Sequence, residues 1–127
     1  MNENEIGTAV VDAAIKVHRV LGPGLLETVY KMALAHELTR QGFEIVRQSA
    51  IPFAYEGIRF DDGFRADLIV NGRVIVEVKS VEHRLPAHKK QLLTYLKLSK
   101  LRLGYLINFN ESLVKEGIER LVNGLPE

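Results

Sequence analysis

Ile6, Val10, Ala13, Ala14, Val17 and Leu21 recur every three or four positions, a spacing that lines one face of a helix and predicts an amphipathic helix over residues 5–21. Gly22-Pro23-Gly24 stops it. A second helix is predicted from about Leu25 to Arg40, with Leu26, Val29, Tyr30, Ala33, Leu34 and Leu38 turned inward and Gly42 just past its end. From Glu44 the pattern changes to β-rich runs, EIVRQSAIPFAYEG, FRADLIV and RVIVEVKSV. The turn-prone Asp61-Asp62-Gly63 and Asn71-Gly72 separate them, which predicts three antiparallel strands in a meander.

Pro86 suits the first turn of a further helix, since it has no N–H to leave unpaired there. Leu92, Leu93, Leu96 and Leu101 give that helix its apolar side and an end near Lys100. A strand over Arg102–Phe109 and a short helix in ESLVKEGIERLVNGL complete the chain. The expected order is ααβββαβα, an α/β domain whose central mixed sheet is flanked by helices. No internal repeat, linker or low-complexity stretch interrupts it, so residues 1–127 read as one domain.

Composition narrows the chemistry. At 127 residues, 46% of them hydrophobic and 26% charged, the chain can bury a real core. It has no cysteine, which removes disulfides, zinc-thiolate sites, iron–sulfur clusters and cysteine nucleophiles, and suits a reducing cytoplasm. Any metal must then use oxygen or imidazole ligands. The first twenty residues are acidic and then amphipathic, unlike a signal peptide or a membrane span, so a soluble cytoplasmic protein is expected.

The net charge of +1 says little about partners, but its distribution does. Residues 79–102 hold seven Lys or Arg against one acid, Glu82. Taken alone this is a solvated basic helix face; beside a suitable site it becomes a surface for phosphates.

Alternation along VEVKS places Glu77 and Lys79 on one side of their strand and Val76 and Val78 on the other. Whether Asp67 joins them depends on hairpin parity, because one residue more or less in the loop swaps the facing of a strand. A two-residue Asn71-Gly72 turn would set Asp67 opposite Val76 and separate the carboxylates. A three-residue loop, Val70-Asn71-Gly72 with Gly72 left-handed, sets Asp67 beside Ile75 on the Glu77 face. The odd loop is preferred because it gathers Phe64, Ala66, Leu68, Val70, Val74, Val76 and Val78 onto one buried side.

Two carboxylates meeting in a partly buried pocket raise each other's pKa, a cost that a hard cation removes. Mg²⁺ takes a few carboxylates and completes its octahedron with water and phosphate, so Asp67, Glu77 and the Val78 carbonyl form a suitable partial shell. An isolated D…ExK match is more often an ordinary salt bridge. On the next helix Gln91 and Tyr95 are four apart and share a face; alone they would be a surface amide beside a half-buried core tyrosine.

Together, Asp67, Glu77-Val78-Lys79, Gln91 and Tyr95 resemble the PD-(D/E)XK nuclease superfamily, in particular its RecB-like branch with its Q-xxx-Y motif. Gly24-Leu25-Leu26-Glu27-Thr28-Val29-Tyr30 is similar to the signature of the small GxxExxY proteins grouped with that superfamily. The likeness runs from about Ile6 to Leu121, and Ala66 stands where the literal motif has proline.

The resemblance implies a restriction-endonuclease-like fold and a Mg²⁺- or Mn²⁺-dependent nuclease that hydrolyses phosphodiester bonds, in DNA by expectation. Asp67, Glu77, Lys79, Gln91 and Tyr95 would be catalytic, and Glu27 would complete the metal shell of Asp67, Glu77 and Val78. Taken alone, Glu27 is an ordinary i,i+4 partner of Lys31, and His18, before the LGPG break, an ordinary helix histidine. Arg84, Lys89 and Lys90 would attract the nucleic-acid backbone. A domain this small needs a partner or a homodimer to embrace a duplex. The rival readings are a catalytically silent nucleic-acid-binding module of the same fold, and a structural or regulatory interaction domain whose carboxylates form ion pairs.

Overall fold

The computed structural model describes residues 1–126. Helix α1 (Glu3–Leu21) starts at a capping box: Glu5 N–H donates to Asn2 Oδ1 at 2.8 Å and Asn2 N–H to Glu5 Oε1 at 3.0 Å, pairing two otherwise orphaned donors. It ends at Gly22, whose φ of 72° suits glycine. Gly7 lets α1 press on the sheet, because a Cβ there would lie 2.3 Å from the Tyr105 hydroxyl.

Helix α2 (Glu27–Arg40) begins after Leu26, which caps it in extended backbone and is 76% exposed. Tyr30, Leu34 and Leu38 form the buried stripe. The expectation that Leu26 and Val29 face inward is therefore corrected: Leu26 precedes the helix, and Val29 lies about 100° around it from Tyr30.

Strands β1 (Ile45–Tyr55) and β2 (Ile58–Val70) form a long hairpin closed by Glu56-Gly57, both left-handed as a two-residue turn requires. Asp61-Asp62-Gly63, expected as a turn, lies inside β2 instead. Its acids pair with Arg59 and Arg65, and Gly63 makes room for the Phe53 ring, which a Cβ would meet at 2.0 Å.

Strand β3 (Val74–Lys79) follows β2 through Asn71-Gly72-Arg73, with Val70 opposite Val74 and Leu68 opposite Val76. The loop is odd, as expected, but sits one residue later than Val70-Asn71-Gly72. Asp67 consequently stands level with Glu77, not Ile75. Asn71 and Gly72 both take positive φ, and Asn71 Oδ1 accepts the Glu44 N–H at 2.8 Å.

Helix α3 (Pro86–Ser99) ends at left-handed Lys100 and carries the chain to β4 (Leu103–Asn108), parallel to β3. The expected C-terminal helix is replaced by one 3₁₀ turn, Val114–Gly117, and strand β5 (Ile118–Val122), antiparallel to β4. Period-two burial decides this: Leu121 packs under α3 while its neighbours Arg120 and Val122 face outward. The sheet runs β1-β2-β3-β4-β5 in chain order, mixed through the single parallel step.

Helices α1 and α2 cover one face, over Leu68, Val70, Val74, Val76, Val78, Tyr105 and Ile107. Helix α3 covers the other, over Ile75, Leu106 and Leu121. Ala66 and partly buried Phe64 pack on the α3 side, against the expectation that they share a side with Leu68. The hairpin bends at left-handed Gln48, opposite Asp67, so the outer half of β2 folds over α3. No helix among the described residues is long and apolar enough to cross a membrane.

Candidate functional site

The bend in β2 creates the site. The β2–β3 ladder ends at Leu68 and Val76, and side chains take over from backbone one step further. Val78 N–H donates to Asp67 Oδ2 at 2.8 Å, and Asp67 N–H reaches Glu77 Oε2 at 3.4 Å. Both carboxylates are nearly buried, Asp67 at 7% and Glu77 at 5% exposure. They lie where β2 leaves the sheet, between α2 and α3.

Glu77 Oε1 is buried and has no hydrogen-bond partner. Burial, a hydrogen bond to the Asp67 side chain and the nearby Asp67 charge push the Glu77 carboxyl up to about 9; Asp67 N–H and Lys79 oppose the rise. The rise favours the neutral form of the Glu77 carboxyl at neutral pH. Lys79, one strand period beyond Glu77, makes no ion pair among the described residues.

Helix α2 brings a group to Asp67 that the sequence reading named only as a helix-pair partner. Lys31 Nζ lies 3.0 Å from Asp67 Oδ1 and 3.2 Å from Glu27 Oε1, its side chain 16% exposed. Partial burial disfavours charge on Lys31, but its bonds to Asp67 and Glu27 outweigh that and hold its pKa above the usual lysine value. The expected i,i+4 pair is therefore formed, and Glu27 meets Asp67 through Lys31. The signal was present: Lys31 follows Glu27 by one helical turn and so must share its face.

Tyr30 explains why α2 sits here. Its ring stacks on Phe109 at 4.5 Å, just past the end of β4, and its hydroxyl donates to Gly22 O at 2.5 Å and accepts Leu25 N–H at 3.1 Å. Ser80 Oγ donates to Leu25 O at 2.6 Å, so the α1–α2 turn is tied to the end of β3. His18 takes no part in the acidic cluster: its Nε2 lies 2.8 Å from Glu111 O.

From α3, Tyr95 enters the site, 5% exposed, its ring 5.4 Å from that of Phe64. Burial and the charges of Glu77 and Asp67 raise its pKa. Gln91 lies one turn earlier, exposed, its side chain making no hydrogen bond among the described residues. Lys89 and Lys90 are exposed near the start of α3, whereas Arg84 is engaged with Glu111 at 3.5 Å and Glu119 at 3.7 Å. Arg84, Leu85, Pro86, Lys89, Leu106 and Glu119 line a cleft of about 400 Å³.

The donor set suits a hard cation that brings its own water. Asp67 and Glu77 are side by side, and Glu77 Oε1 lacks a partner, so an ion there would replace a buried proton. Among the described residues no group of three or more His, Asp or Glu is placed to hold a metal. Mg²⁺ or Mn²⁺ with one or two carboxylates and several waters matches that supply.

A protein-family model described as the PD-(D/E)XK nuclease superfamily matches residues 4–121. No curated protein and no solved structure matches the chain.

Proposed function

The chain belongs to the PD-(D/E)XK nuclease superfamily, and on that premise we propose that it is a Mg²⁺- or Mn²⁺-dependent nuclease acting on DNA through Asp67, Glu77 and Lys79. One observation carries the reading: two nearly buried carboxylates meet where adjoining strands part, and Glu77 Oε1 has no partner there. Within the superfamily we assign the chain to the RecB-like branch and the GxxExxY proteins. Supporting this are the Gly24–Tyr30 stretch, whose tyrosine secures the α1–α2 turn, and the Gln91/Tyr95 pair on α3.

Asp67 and Glu77, with the Val78 carbonyl, would hold the ion. The chemistry such an ion would supply is Lewis-acid activation of a water and stabilisation of charge at phosphorus. Lys79 would orient a water and stabilise the phosphate. Tyr95 and Gln91 hold the phosphate or the neighbouring base. Lys89 and Lys90 supply attraction to the backbone that does not depend on sequence, with Arg84 a weaker contributor because two acids already engage it.

Cleavage of labelled single- and double-stranded DNA, with Mg²⁺ or Mn²⁺ and with EDTA, tests the proposal. Metal-dependent cutting that disappears in E77A and K79A, both still folded by circular dichroism, supports it. A second reading is favoured by Lys31, which already holds Asp67 Oδ1: a nucleic-acid-binding module of the same fold without turnover. Salt-sensitive DNA binding with no cutting under either metal would select that reading.

A further inference from the structure

On the reading that Asp67 and Glu77 receive a divalent ion, we propose that Lys31 is a tethered competitor for that ion. It holds Asp67 Oδ1 in the metal-free protein and yields it when the ion enters, and Glu27 then keeps it. Glu27 is thus the keeper of Lys31 and not a ligand.

The geometry leaves the ion few choices on Asp67. Oδ2 already accepts Val78 N–H at 2.8 Å, and Oδ1 is the oxygen that Lys31 holds at 3.0 Å. An ion bound by Oδ1 at roughly 2.0–2.1 Å would lie against an ammonium group on the same oxygen. Two cations that close repel strongly in a poorly solvated pocket. One must leave, and only the lysine has somewhere prepared to go.

That place is Glu27. Its carboxylate lies 3.2 Å from Lys31 Nζ, one turn back on α2, and its side chain is 35% exposed against 10% for Asp67. A long flexible stem lets the ammonium swing outward along its own helix without unfolding anything. Before loading, the Lys31 ammonium faces both Asp67 and Glu27; on loading it faces Glu27 alone.

Calorimetric titration of the whole protein with MnCl₂ alone tests this, without nucleic acid or turnover. K31Q is expected to bind the ion about tenfold more tightly than the wild type, on the scale of one removed neighbouring charge. K31R, which keeps the charge, should bind like the wild type. E27Q should weaken binding several-fold by removing the refuge for Lys31, and should have no effect in a K31Q background. K31M, which keeps the packed stem, serves the same comparison should K31Q melt below the assay temperature.

If K31Q and K31M bind Mn²⁺ no more tightly than the wild type, the competition is overturned. If E27Q weakens binding equally with and without Lys31, Glu27 is a ligand and the proposal fails. D67N separates this failure from that of the nuclease reading. Binding that D67N abolishes but K31Q leaves unchanged overturns only the role of Lys31. No Mn²⁺ binding in any variant overturns both.

Discussion

The Val78 backbone N–H donates to Asp67 Oδ2 at 2.8 Å, one step beyond the last backbone pairing of β2 with β3. Asp67 is therefore a structural plug as well as a ligand candidate: it satisfies a buried donor of the central strand where β2 has bent away. Its other oxygen then faces Lys31, on the side open to chemistry.

Truncating and neutralising Asp67 should accordingly differ. D67A leaves Val78 N–H without its partner, which costs about 1–3 kcal/mol for a buried donor. D67N keeps an oxygen for that bond and should retain more of the stability. Both should lose metal binding and cleavage, so urea denaturation distinguishes them where activity does not. Equal stabilities for the two variants would show that the Val78 bond contributes little.

Glu77 makes the metal-free protein sensitive to alkali. Its carboxyl is raised to about 9 against an ordinary 4.5, so between those values the folded chain binds a proton that the unfolded chain has released. Stability should fall as pH rises through that window and level off above it. E77Q, neutral throughout, should remove that part of the slope. On the proposed metal reading Mn²⁺ displaces the same proton, so binding at pH 7 should release close to one proton in the wild type and none through this site in E77Q. Calorimetry in buffers of differing ionisation enthalpy counts it.

Much of this arrangement was legible in the sequence, for a specific reason. Hairpin parity follows from which residues must be buried, so the apolar run from Leu68 to Val78 sufficed to bring Asp67 and Glu77 to one face. What escaped was long-range. The bend at Gln48, which sends Ala66 and Phe64 to the α3 side, has no period and no turn residue to announce it. Gly63 resembled turn punctuation but serves the Phe53 ring, and the C-terminal strand carried too few residues for its alternation to outweigh a helical reading. Lys31 escaped for another reason. Its partnership with Glu27 was visible locally, while the reach to Asp67 depends on Tyr30 seating α2 against Phe109.

Acid should weaken the fold at a second place, remote in sequence from the β2–β3 pair. Glu37 Oε1 meets Arg40 at 2.6 Å, Lys16 at 2.7 Å and Gln41 at 3.0 Å, and these partners, Arg40 foremost, lower its pKa from 4.5 to about 2. A depressed carboxyl stabilises the fold above the unfolded value, and that stabilisation fades as pH falls from 4.5 toward 2. E37Q should therefore be less stable than the wild type at pH 7 and converge with it near pH 2. Thermal melts across that range check it; a constant gap down to pH 2 would assign the loss to packing instead.

The basic groups around the start of α3 should not contribute equally to DNA affinity. Lys89 and Lys90 are exposed and make no ion pair among the described residues, whereas Arg84 already faces Glu111 and Glu119. Each phosphate neutralised by a free cation steepens the fall of log affinity with log salt by about 0.9 for duplex DNA and about 0.7 for single strands. K89Q and K90Q should each flatten that slope by close to one such step. R84Q removes a cation but also exposes two acids near the same cleft, so it should weaken binding at low salt through repulsion while changing the slope less. Fluorescence anisotropy between low and physiological salt, using metal-free protein so that no DNA is cut, measures all three. If R84Q flattens the slope as much as K89Q does, Arg84 leaves its acids for the phosphate when DNA binds.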